Sequence, residues 1–265
     1  MPTTRVVQAE RDTVEFHVYG DGPLLVMIPS LGRRAGDFTD LAERLAAAGH
    51  TAACIEPRGV GKSVGPMENL TLHDLATDAA AVIEELGGGN PAVALWHAFG
   101  QRVCRMLAAD RPDLVSAVIM LAAGGKVPPS EEIWTTLRAC FDLSLPQDAR
   151  MDYVRSAFFA AGNDPTVWCE GWEPAIVQTQ VRASQAPPIE SWWRAGKASI
   201  LVIQGLEDRV AVSENGRVLQ KALGSRVELV EIEGAGHALL PERPQEISTA
   251  VLSFLSRLPE PAGIE

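Results

Sequence analysis

The chain has 265 residues, 46% hydrophobic and 22% charged, a balance that belongs to one globular domain with a large core rather than to a disordered or fibrous protein. Its 23 basic and 34 acidic side chains give a formal charge of -11, which argues against binding nucleic acid or an anionic membrane through a general electrostatic field. No apolar run approaches the roughly 18 residues that cross a bilayer.

The first residues, MPTTRVVQAERDTVEF, alternate polar and apolar and lack the basic start and apolar core of a secretory signal, so a cytoplasmic location is expected. TRVVQAE and TVEFHVYG predict two antiparallel strands turning near Arg11 and Asp12. PLLVMI (23 to 28) is a short continuous apolar run, the mark of a strand covered on both faces, and 36 to 50 has helical spacing ending in Gly49. The unit recurs. TAACIE leads through a glycine-rich loop to a helix from LTLHDL onward, PAVALW leads to FGQRVCRMLAADRP, and LVSAVIML, ILVIQG and VELVEIE are further buried strands. Such alternation predicts a mostly parallel sheet with helices on both faces.

One stretch breaks the pattern. Between Gly124 and about Lys197 apolar residues recur at helical spacing with five tryptophans, Trp134, Trp168, Trp172, Trp192 and Trp193. An inserted helical lid over 125–197, on a core formed by 1–124 and 198–265, is the economical reading. PERPQEISTAVLSFLSRL then forms a terminal helix, and PEPAGIE is expected to fray.

In parallel sheets functional groups collect in the loops at the carboxyl ends of strands. Those loops here are IPSLGRR, EPRGVGKS, WHAFGQ, GLEDRV and EGAGHALLPERP. GVGKS is not a phosphate loop, because the full spacing needs glycine at position 56, where Glu56 stands. The four cysteines, Cys54, Cys104, Cys140 and Cys169, are too widely spaced for a zinc or disulfide motif and read as buried free thiols. Taken alone, Asp208 reads as a turn former, His237 as a polar loop residue and His97 as a packed histidine.

Together and in this order the loops resemble the alpha/beta-hydrolase fold family. The resemblance spans nearly the whole chain and implies an eight-stranded, mostly parallel α/β sheet. That family carries a nucleophile on a sharp strand-to-helix turn, G-x-S-x-G, followed along the chain by an acid and a histidine. The matching positions are Trp96, Ala98 and Gly100, then Asp208, then His237, with Glu207 the competing acid. A serine hydroxyl attacks only when an imidazole takes its proton and a carboxylate fixes that imidazole. The resemblance further implies an oxyanion hole from the Leu31 and Phe99 amides. Arg58 is implied as a structural brace. No metal or other cofactor is implied.

Two departures stand out. Alanine occupies the nucleophile position, and Trp96 stands where a crowded turn favours a small residue, so either the elbow is displaced or the indole finds room towards the lid. Ser30, Trp134, Trp168 and Arg33 are candidates for substrate binding, Arg33 towards a carboxylate. The tryptophan-rich lid favours an apolar or aromatic small molecule. Homodimerisation is left open. Three functions fit these residues. One is a hydrolase of esters, lactones or a related activated carbonyl, inactive or substituted at Ala98. Another is a nucleophile-independent hydrolase, lyase or isomerase using Asp208 and His237 as a general base. The last is a non-catalytic ligand-binding protein.

Overall fold

The computed structural model describes residues 1–9 and 11–259. The predicted fraying of PEPAGIE falls, apart from Pro259, outside them. The chain runs β1 (Thr3–Gln8), β2 (Thr13–Tyr19), β3 (Leu24–Ile28), α1 (Thr39–Ala47), β4 (Thr51–Ile55), α2 (Leu72–Leu86), β5 (Ala92–His97), α3 (Gly100–Asp110) and β6 (Val115–Leu121). It continues through α4 (Glu131–Cys140), α5 (Gln147–Phe158), α6 (Pro174–Gln185) and α7 (Ile189–Trp192) to β7 (Ser199–Gly205), α8 (Glu214–Leu223), β8 (Val227–Ile232), α9 (Leu239–Glu242) and α10 (Pro244–Leu255).

The eight strands form one sheet in the order β1-β2-β4-β3-β5-β6-β7-β8. β1 and β2 are antiparallel, β2 joins β4 antiparallel, and every later pairing is parallel. β5 is buried along its whole length, as a central strand covered on both faces must be. Alternation along the strands divides the core. Val26, Ile28, Ala94 and Trp96 face one hydrophobic cluster with residues of α2 and α3. Leu25, Met27, Val93 and Leu95 face the other with residues of α1 and α10.

Local chemistry sets the helix boundaries. Thr71 and Asp74 close a reciprocal capping box at the start of α2, satisfying donors that a helix N-terminus leaves unpaired. α6 and α10 each open with proline at the first position, where its missing N–H costs nothing. The predicted helix over 36 to 50 begins instead as a 3-10 turn, Ala35–Phe38, before α1.

Between β6 and β7 the described residues form helices and no strand. A third hydrophobic cluster joins Cys140, Val154, Phe158, Phe159 and Trp168 of this segment to Ala238. Because β3 lies between β4 and β5, the loops leaving β3 and β5 are neighbours, the arrangement that opens a crevice at the carboxyl edge of a parallel sheet.

Candidate active site

β5 runs out at His97 and α3 begins at Gly100, leaving Ala98 and Phe99 as the whole turn. Ala98 has φ of 49°, the left-handed conformation that costs an L-residue roughly 1–2 kcal/mol. Its amide donates to Leu121 at 2.9 Å, and its carbonyl accepts from Gln101 at 3.1 Å. A Cβ on Gly100 would stand 2.8 Å from the Ile28 carbonyl oxygen and 2.9 Å from that of Pro29, so only glycine lets the turn pass this close to β3. The turn is therefore a sharp elbow.

Trp96 does not disturb it. Its side chain is fully buried in the cluster that also holds Trp192 and Trp193, and its indole N–H donates to the Val26 carbonyl at 2.9 Å. The alternation of β5 aims position 96 into the core, where its small neighbours Ala92 and Ala94 on the same face leave volume for an indole.

His237 and Asp208 come from loops after β8 and β7. His237 Nδ1 lies 3.0 and 3.2 Å from the two carboxylate oxygens of Asp208, and both side chains are buried. Asp208 is itself held: its Oδ1 accepts the amides of Val210 and Ala211, each at 2.8 Å. A carboxylate that occupies Nδ1 leaves Nε2 as the imidazole atom for proton transfer, and Nε2 bonds to no protein group among the described residues.

The Leu31 and Phe99 amides donate to no protein acceptor among the described residues. The next residues along the β3 loop are held. Gly32 N–H donates to Gln180 Oε1 at 2.8 Å, Gly32 C=O accepts from Glu173 at 2.8 Å, and Arg33 N–H donates to Ser30 at 3.1 Å. Two free amides beside an elbow are the donor set that a developing oxyanion requires.

The model for the serine aminopeptidase S33 family matches residues 23–244. The chain belongs to that family. Its fold is the alpha/beta-hydrolase fold: an esterase from Thermogutta terrifontis superposes with a TM-score of 0.80 at 17% identity, over 97% of this chain and 99% of that one. An esterase from Exiguobacterium antarcticum superposes with 0.81 at 17% identity, over 96% and 100%. By sequence the chain is 25% identical to Protein ABHD8 of Bos taurus over 96% of its own length, spanning 58% of that protein. It is 28% identical to Lipase LipV of Mycobacterium tuberculosis over 69% of this chain and 75% of the lipase.

Within this S33-family framework some of the remaining side chains take the parts expected of them and others do not. Arg33 is 2% exposed and its donors are spent on the protein: Nε and Nη2 pair with Asp37 at 2.9 and 2.7 Å, and Nη1 donates to Glu170 C=O at 2.8 Å. Its guanidinium packs against the mutually perpendicular rings of Trp168 and Trp172, 4.7 and 4.6 Å from their centres. It clamps the helical segment to the β3 loop instead of offering itself to a carboxylate. Trp134 is 42% exposed on α4, on a solvent-facing side rather than in a pocket wall. Trp168 is buried, with its ring 6.2 Å from that of His97, and Ser30 is buried beside Leu31. Arg58 is a brace, pairing with Asp78 and Asp12 in the interior. Glu207 bonds the Ala235 amide at 3.0 Å and so is occupied away from His237.

Three supporting residues carry no pattern that a single sequence displays. His97 is fully buried, and since its Nε2 faces the His237 carbonyl at 2.8 Å it must be the Nε2–H tautomer. Burial, with neighbouring His237 and Arg33, pulls its pKa down to about 3. Glu242 accepts the amides of Gly236 and Ala160 and the side-chain N–H of Asn163, all at 2.7 Å, tying the histidine loop to the helical segment. Burial raises its pKa. Gln180 does the same for the loop after β3 through Gly32. Among the described residues no three His, Cys, Asp or Glu side chains gather as metal ligands.

Proposed function

We propose that the chain binds a small apolar or aromatic ester, lactone or related activated carbonyl compound and hydrolyses it with water as the attacking group. The observation that carries this reading is the elbow. Ala98 keeps the strained backbone of a nucleophile position, which aims the free Phe99 amide alongside that of Leu31, while His237 stands oriented by Asp208. His237 Nε2 takes a proton from water, the hydroxide adds to the carbonyl carbon, and the oxygen that gains charge is received by the two amides. Collapse of the tetrahedral species returns the proton from His237 to the leaving oxygen. With no side-chain nucleophile there is no acyl-enzyme.

The helical segment over 125–197 serves as a lid in this reading. Trp168 of this segment sets its ring 6.2 Å from that of His97; the groove of about 460 Å³ that it also borders has Asp37, Asp40 and Glu43 among its walls and is lined by none of Leu31, Ala98, Asp208 or His237. The reading is tested on aryl esters and lactones with the chain as written, Ala98→Ser and His237→Ala. Slow turnover without a burst is expected of the first, at least about a hundredfold more with an acyl-enzyme burst from the second, and none from the third. A folded Ala98→Ser variant with no gain overturns it, as does turnover that survives His237→Ala.

A further inference from the structure

Arg105 lies on α3, in the layer beneath the elbow, and is one of the largest fully buried side chains in the protein. A buried guanidinium is normally paired, because an uncompensated charge in a medium of low dielectric is costly. This one has no acidic partner within ion-pair distance among the described residues, although the chain holds 34 acidic against 23 basic side chains. Its Nε points at the Met120 sulfur at 2.8 Å, and its Nη1 is buried with no acceptor.

A second guanidinium lies nearby. Arg102, one turn earlier on α3 and half-buried, also lacks an acidic partner among the described residues, and desolvation lowers its pKa. Both guanidinium carbons lie 5.8 Å from the centre of the Trp192 ring, at the end of α7. That indole N–H is itself buried without an acceptor. Desolvation also pulls the Arg105 pKa down to about 9. Two guanidinium groups therefore stand over the Trp192 ring, and beside them Arg105 Nη1 and the indole N–H are buried donors without an acceptor among the described residues.

We propose that Arg105, Arg102 and the indole N–H of Trp192 form a binding site for a small inorganic anion of chloride size at the junction of α3 and α7. An anion there accepts the orphaned Arg105 and Trp192 donors and neutralises charge that the fold leaves uncompensated. The site is independent of the hydrolytic reading, since none of its three residues takes part in the proposed reaction. A small occupant is proposed because α3 and α7 are in direct contact, and the 460 Å³ groove is lined by other residues.

The test is thermal unfolding of the full chain at constant ionic strength as sodium gluconate is replaced by sodium chloride. The midpoint rises with chloride and saturates, as ligand linkage requires. Arg105→Met abolishes the dependence and, in gluconate, is at least as stable as the unchanged chain. Trp192→Phe keeps the ring but removes the donor, and raises the half-saturating chloride concentration about tenfold. Should Arg105→Met fail to fold, crystals of the unchanged chain soaked in bromide decide by anomalous scattering. A peak within hydrogen-bonding distance of Arg105 Nη1 and Trp192 Nε1 supports the site. A midpoint indifferent to the choice of anion, a chloride dependence that survives Arg105→Met, or no bromide peak there overturns it.

Discussion

His97 donates from Nε2 to the backbone carbonyl of His237 at 2.8 Å, so the residue that precedes the elbow holds the main chain of the residue that would work above it. Their rings lie 5.3 Å apart. A proton on Nδ1 of His97 would place a positive charge in a buried space near Arg33, and the structure provides no acceptor for it among the described residues. The neutral form of His97 is therefore part of the folded state.

That neutrality makes the fold acid-sensitive. The His97 pKa is about 3 in the folded chain against an ordinary 6.5, so between those values the unfolded state holds more protons at this position. Stability from this residue is complete above pH 6.5 and is lost as pH falls towards 3, by up to about 1.4 kcal/mol per pH unit. Urea unfolding at pH 7.0 and 4.5 checks this. The drop in stability is expected to be smaller in His97→Gln, and equal drops in both proteins would sink the assignment.

Ala98 occupies a left-handed backbone conformation with φ of 49°. Ala98→Gly removes that strain but gives the unfolded chain more freedom, and the two effects differ by about 0.5–1 kcal/mol in favour of the variant. Stabilisation of this size in denaturant titrations is expected, whereas a glycine substitution at an ordinary strand end destabilises. A less stable Ala98→Gly would show that the elbow is relaxed.

Gly100→Ala acts in the opposite sense. The new methyl would stand 2.8 Å and 2.9 Å from two backbone oxygens of the β3 end, which cannot swing aside as a flexible side chain would. A loss of about 2–3 kcal/mol is expected, read from the same titrations. An unchanged stability would mean that α3 and β3 are further apart than described here.

How far the sequence foretold this arrangement depends on the kind of signal involved. Buried strands such as PAVALW and helices with an apolar stripe write themselves as local periodicity, so the parallel sheet and its order of elements were legible. Asp208 and His237 were singled out by the family resemblance, through their strand-end loops and chain order, and the structure brings the two side chains to 3.0 Å. Arg33 was misread because its partners, Asp37, Glu170 and two tryptophans, come together only on folding. Gln180 and Glu242 were missed for the same reason: each serves a backbone amide far away in the chain, and a backbone partner leaves no residue type to recognise. Trp96 looked like an obstacle because residue size is visible in a sequence and the neighbouring volume is not.

Gln180 yields the prediction that reaches the proposed chemistry most directly. Its Oε1 accepts the Gly32 amide at 2.8 Å, and Glu173 donates to the Gly32 carbonyl from the same segment, so the helical segment holds both peptide groups that flank Gly32, the residue after Leu31. Gln180→Leu leaves a buried amide unpaired, at a cost of about 1–3 kcal/mol in stability, and releases the Leu31 donor from its aim. An oxyanion exists only after attack, so the loss belongs in kcat with KM little changed. In the Ala98→Ser background, where turnover is high enough to measure, kcat for an aryl ester is expected to fall at least about tenfold. A variant that lost affinity alone would place Gln180 in substrate binding and leave Leu31 without its part in the oxyanion hole.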